Sequence, residues 1–183
     1  MPEGFTQSGA IMKLAGIQVF MGLVGDVMLT RSEIRESLPP KFVERLQDIP
    51  MTSVGMHSQM NMTLSLLVLT LRKEGIDLVL LKGQGLSRYY PTPELRQCGD
   101  IDLYVGVLNY SKSYDAFKNI VSEIDNQSCL DSDEKHYHAR VDSIMIKVHR
   151  YANIHSSSSL NQIYQDYALL GLSEGLVLIQ LAR

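Results

Sequence analysis

The sequence predicts an α/β chain of the α+β type, with extra helices ahead of a core that mixes strands and helices. Three observations carry that prediction. Apolar residues recur at helical spacing through Met56, Met60, Leu64, Leu67 and Leu71, the signature of an amphipathic helix. Residues 76–81 then form a short, almost continuous apolar run, as a buried strand does. Finally, residues 100–105 place Ile101 and Leu103 between Asp100 and Asp102, an alternation that only a strand turns into two distinct faces.

Taken in order, residues 14–25 are uncharged and too few to span a bilayer, so they read as one buried or extra helix rather than a secretory leader. Residues 31–38 are polar, and Pro39-Pro40 ends whatever precedes them. A short helix over 41–48 stops near Pro50, and the long helix over 53–74 starts at a Ser53 cap and ends at Gly75. Its methionines read as adaptable core filler. After the strand at 76–81 comes a helical turn over 86–90, then an extended loop forced by Pro91 and Pro93. A strand over 101–105 is followed by a helix capped by Asn109 or Ser111 and running to about 124. Two strands are expected over 135–140 and 143–150, and helices over 160–170 and 173–182. The organisation read from this pass is an N-terminal helical extension over 1–50, a core over 51–155, and the start of a C-terminal helical region over 156–183. The last helix is still apolar at the chain end, so association into a homo-oligomer is a further expectation.

Composition narrows the function. With 183 residues, 45% hydrophobic and 20% charged, the chain is an ordinary globular one. A net charge of −3 argues against a protein that coats duplex nucleic acid. Two cysteines, Cys98 and Cys129, with no CxxC pair, suit two thiols in a reducing compartment; a cytoplasmic protein with no membrane partner is expected.

The chemistry concentrates between Lys82 and Asp102. Asp100 and Asp102 lie about 7 Å apart along one strand face, where both can ligate hard cations such as Mg²⁺ or Mn²⁺ for phosphoryl or nucleotidyl transfer. A second DxD, Asp131-Ser132-Asp133, sits in a polar stretch and reads as a solvated loop. Lys82, Gly83, Gly85 and Ser87 open a turn after a strand, where backbone N–H groups and a lysine can approach phosphate oxygens; an ordinary strand-to-helix turn would look the same. Arg96 can neutralise a triphosphate or pair with Asp100 or Glu94. Tyr89 and Tyr90 can stack a base but more simply pack on the sheet. His136 and His138 share a face if their segment is a strand, yet two histidines without a third ligand make a weak metal site, and surface positions are expected. His57 and His155 belong to no constellation.

The stretch LLKGQGLSRYYPTPELRQCGDIDLYV, residues 80–105, closely resembles an uncharacterised nucleotidyltransferase family of the polymerase-beta-like nucleotidyltransferase superfamily. The landmarks are Lys82-Gly83, Leu86, Tyr90, Pro91, Pro93, Arg96, Gly99, Asp100, Asp102 and Val105. The resemblance implies a mixed β-sheet flanked by helices. It also implies an NTP bound with Mg²⁺ and transfer of its NMP to an acceptor hydroxyl on a small molecule or protein. Asp100 and Asp102 would hold the metals, and Gly83 and its neighbours would cradle the β- and γ-phosphates.

One position departs from the family pattern. A third carboxylate is expected two residues before His149, and Lys147 stands there. Asp142 is at an odd offset and would face away on a regular strand unless a bulge re-aims it. His149 shares the Lys147 face and could take the acceptor proton instead. Lys147 therefore motivates an alternative, a catalytically degenerate nucleotide- or partner-binding module. A metal-dependent glycosyltransferase is a remoter one.

Overall fold

The computed structural model describes residues 3–18, 20–124, 131–132, 135–152, 154 and 157–173. It divides into two compact units, residues 1–59 with 87–98 and residues 60–86 with 99–183.

In the first unit, α1 (Glu3–Ile17), α2 (Met21–Thr30) and α3 (Ser32–Ser37) precede the start of α4 (Pro40–Lys73). The single helix expected over 14–25 is thus two, interrupted around residues 18–20. Met12, Met28, Leu38 and Leu46 form a buried cluster, with Phe42, Val43 and Ile49 packed against it. That packing explains a second correction. Pro40 opens α4, where a missing N–H costs nothing, but Pro50 lies inside the helix instead of ending it. An interior proline costs about 3 kcal/mol, an amount that full burial of one large side chain such as Leu46, at roughly 1.5–3 kcal/mol, offsets together with the partial burial of Ile49. Thr52 and Ser53 follow the proline, and their hydroxyls donate back to the carbonyls of Asp48 (2.8 Å) and Ile49 (3.0 Å). Ser53 is accordingly an interior residue, not a cap. Close approach fixes α2: a Cβ on Gly22 would stand 2.3 Å from the Leu95 carbonyl oxygen in the short 3-10 turn Pro93–Leu95.

In the second unit the apolar stripe of α4 is buried from Met60 through Leu64, Leu67, Val68 and Leu71, whereas Met56 is exposed. The helix ends as predicted. Gly75 has φ +66, and the amides of Gly75 and Ile76 donate to the carbonyls of Arg72 and Leu71, a Schellman closure. Ile76 and Leu78 are buried, but only Val79–Leu81 forms a strand, β1. After it come α5 (Gly83–Ser87), β2 (Asp100–Tyr104) and α6 (Gly106–Ile124). Helix α6 begins at Gly106, whose φ of +76 makes the corner, ahead of the expected Asn109 or Ser111 cap.

Strands β3 (Asp131–Ser132), β4 (His136–Val141) and β5 (Ile144–His149) complete a mixed sheet in the order β1-β2-β5-β4-β3, and α7 (Ser158–Ser173) follows. The second DxD is therefore in part a strand, although Asp131 and Ser132 are exposed as expected; Asp133, Cys129, His155 and most of the helix expected over 173–182 lie outside the described residues. Among the described residues only the pairing of β2 with β5 is parallel. Alternation separates two faces. Ile101, Leu103, Ile144, Ile146, Val148, Tyr137, Ala139 and Val141 are buried on the apolar one, where Phe117, Tyr110 and Tyr114 of α6 ring Tyr137 at 5.1–5.2 Å. The opposite face carries the polar residues. Among the described residues no helix is long and apolar enough to cross a membrane.

Candidate functional site

The polar face is assembled by register. In the parallel pair Asp102 lies opposite Lys147 and Tyr104 opposite His149; in the antiparallel pairs Leu81 meets Asp102 and His136 meets His149. Residues opposite one another share a face. Asp100, Asp102, Tyr104, Lys147, His149, His136 and His138 therefore belong to one surface of the sheet.

Two pairs dominate it. The Lys147 ammonium donates to Asp100 Oδ2 at 2.7 Å, and His149 Nε2 lies 2.8 Å from Asp102 Oδ1. Lys82 Nζ is 3.9 Å from Asp102 Oδ2. Asp102 is only 3% exposed, while Asp100 and Lys147 are each 34% exposed. Burial pushes the Asp102 carboxyl up, but the His149 hydrogen bond and the charges of Lys82, His149 and Lys147 outweigh it and hold it below the usual aspartate range. The hydrogen bond to Asp100 is the main cause that raises the Lys147 ammonium above the ordinary lysine value, against its own partial desolvation. Tyr104 is buried, and its hydroxyl has no hydrogen-bond partner among the described residues. Burial, with Tyr164 nearby, pushes that phenol up.

The turn after β1 is tight. Lys82 has φ +51 and Gly83 φ +33, and a Cβ on Gly83 would stand 3.2 Å from the Asp100 carbonyl oxygen. Glycine lets this turn run beside the first residue of β2. Gly85 is equally close to its own strand, with an added Cβ 3.1 Å from the Leu80 carbonyl oxygen. Asn61 Oδ1 accepts from the Gln84 amide at 2.9 Å, which ties α5 to α4.

The predicted residues divide between the two units. Asp100, Asp102, His149, Lys82, Gly83 and Gly85 are in the second; Ser87 and Arg96 are in the first. The Arg96 guanidinium lies 5.5 Å over the Tyr90 ring and donates to Cys98 Sγ at 2.9 Å; among the described residues Cys98 forms no disulfide. Tyr90 packs near Phe20, with ring centroids 6.4 Å apart, whereas Tyr89 is 70% exposed under the Arg88 guanidinium rather than packed on the sheet. Asp142 is in the two-residue turn between β4 and β5, exposed and at φ +52, so it offers no third carboxylate.

Sequence reasoning undervalued the histidines. His136 stacks on His149 at 5.5 Å and lies 5.6 Å from His138, which makes a row of imidazoles across β4 and β5. The signal was their period-2 spacing, His136 and His138 on one strand and His149 on the next.

Among the described residues no three His, Cys, Asp or Glu side chains cluster to hold a metal ion. The donor set still suits one Mg²⁺, which is commonly held by one or two carboxylates with substrate phosphates and waters. Asp100 Oδ1 and Asp102 Oδ2 are the oxygens left by the two short pairs. Lys147, opposite Asp102, occupies the position where the resemblance implies a further carboxylate, so two carboxylates and not three share this face among the described residues.

Residues 21–170 match the model of a protein family described as uncharacterised nucleotidyltransferase. Comparisons with curated proteins and with solved structures found no match.

Proposed function

We propose that this chain, which belongs to the uncharacterised nucleotidyltransferase family, transfers the NMP of an NTP to an acceptor hydroxyl on the polar face of β2. The observation that supports this reading is the pair Asp100 and Asp102 on one strand face, beside the Lys82–Gly83 turn. The acceptor oxygen attacks the α-phosphorus, the bond from that phosphorus to the α,β-bridging oxygen breaks, and pyrophosphate leaves. Asp100 and Asp102 would hold one Mg²⁺ or Mn²⁺, which when bound neutralises charge on the phosphate oxygens. Lys82 adds a positive charge on the same side. Asp102 Oδ1 engages His149 Nε2; in the tautomer that donates there, Nδ1 is left to receive the acceptor proton.

A second reading follows from Lys147. Its ammonium already neutralises Asp100 at 2.7 Å, as a bound cation would. On this reading the chain binds a nucleotide without metal and releases no pyrophosphate.

Calorimetric titration of an NTP panel separates the two. It is run with Mg²⁺ and with EDTA, on wild type and on Asp100→Ala with Asp102→Ala. Metal-dependent binding that the double substitution abolishes supports the transferase. Binding that survives EDTA supports the second reading, and no binding under either condition rejects both.

A further inference from the structure

A cavity of about 620 Å³, within the size range of small-molecule sites, shares Lys82 and His149 with the carboxylate face. Its wall includes Lys82, Lys135 and His136 at the β4 start, His149 at the end of β5, Tyr151, and Tyr164 from α7. Lys82 and His149 also pair with Asp102, at 3.9 Å and 2.8 Å, so a molecule filling the cavity reaches the two side chains that stand next to that carboxylate. Asp100 and Lys147 do not line it. The cavity thus extends from the His149 end of the face, away from the Lys147–Asp100 pair.

The lining has a definite chemistry. Two lysines and two imidazoles face the space, and no carboxylate lines it among the described residues. Such a wall favours an anion, because the two ammonium groups form charge-assisted hydrogen bonds with phosphate or carboxylate oxygens and the imidazoles carry no negative charge to oppose them. Tyr151, Tyr164 and the stacked rings of His136 and His149 add flat surfaces for a ring or short carbon chain.

We propose that this cavity receives the hydroxyl acceptor, and that the acceptor is a small phosphorylated alcohol, not a cationic sugar or a protein side chain. The proposal rests on the transferase reading and narrows its substrate. The acceptor hydroxyl lies at His149 while its phosphate lies toward Lys135. Its oxygen forms the new bond to the α-phosphorus, its proton passes to His149 Nδ1, and pyrophosphate carries away the electrons of the broken bond. The product is a phosphodiester that keeps the acceptor's own phosphate.

The test is calorimetry with glycerol 3-phosphate and glucose 6-phosphate as anionic probes, and with glucose and an aminoglycoside as neutral and cationic ones. Each is titrated with Mg²⁺ present and a non-hydrolysable NTP analogue at saturation. The expected result is that the anionic probes bind beside the analogue. Lys135→Glu should then weaken them about tenfold, the loss of one charge-assisted hydrogen bond, relative to its effect on the analogue. Lys135→Gln, which removes the charge without reversing it, is the second variant should the first misfold. Preference for glucose or the aminoglycoside overturns the proposal, as does indifference to both substitutions. Mutual exclusion of probe and analogue also overturns it, because the cavity then belongs to the nucleotide. If the analogue itself fails to bind, the transferase reading falls separately, and the Lys135 comparison without analogue still decides whether the cavity takes anions.

Discussion

Lys147 of β5 holds Asp100 of β2 through a 2.7 Å hydrogen bond. The two residues are 47 apart in the chain, and the parallel register brings them to one face. One cation of the site is therefore covalently part of the protein. The Asp102–His149 contact beside it, at 2.8 Å, spans the same 47 residues.

Exchanging that cation for a carboxylate should change the metal dependence. Lys147→Glu is expected to increase Mg²⁺ affinity at least about tenfold, since it removes a competing charge and adds a ligand. Titration of the protein with Mn²⁺, followed by electron paramagnetic resonance, reads this directly. Unchanged Mn²⁺ affinity would show that Lys147 does not compete with a metal.

The buried aspartate sets an acid edge to stability. Because the Asp102 carboxyl is held below its unfolded value, its contribution is present above about pH 3.9 and disappears as pH falls through the lower folded value. The Lys147 ammonium, raised in the fold, works in the other direction. Its contribution is present below about pH 10.4 and is lost as pH climbs through the higher folded value. Urea unfolding of Asp102→Asn against wild type should show a stability gap at pH 6 that narrows below pH 3.9; a gap independent of pH contradicts the assignment.

Tyr137 anchors α6 to the sheet through a buried 2.7 Å hydrogen bond between its hydroxyl and Ser113 Oγ. Ser113 in turn donates to the Tyr110 carbonyl at 2.9 Å, so it stays partnered when the phenol oxygen is removed. Tyr137→Phe should therefore cost only about 1 kcal/mol, and Tyr137→Ala about 3–5 kcal/mol from the cavity it opens. Denaturant midpoints at constant m-value measure both.

Two glycines of the first unit should respond oppositely to alanine. Gly22→Ala drives a methyl group to 2.3 Å from the Leu95 carbonyl oxygen and should destabilise by about 1–3 kcal/mol. Gly55→Ala meets nothing within 4 Å inside α4 and should stabilise by about 0.5–1 kcal/mol. Thermal unfolding of the two variants in one buffer gives the signs.

Much of this was legible in the sequence because strand alternation is a local property. Asp100 with Asp102, and Lys147 with His149, share faces whatever their strands pair with. What the sequence could not disclose is register: the parallel alignment that sets Asp102 opposite Lys147 depends on how far β5 slides against β2. Pro50 was misread for a related reason. Its local rule says stop, and the tertiary burial of Leu46, with Ile49 packed against the same cluster, overrules it. The cavity was invisible because its wall is drawn from β1, β4, β5 and α7, segments that no short motif connects.

The parallel β2–β5 pairing has a kinetic consequence. Strands β4 and β5 meet across a two-residue turn and can zip locally, whereas β2 and β5 must first close the intervening α6 and β3–β4 segments. Closing so long a loop forfeits chain entropy before any contact compensates. We therefore expect the carboxylate face to mature after the hairpin during refolding. Substitutions at Asp100 or Lys147 should then mainly accelerate unfolding and leave the refolding rate almost unchanged.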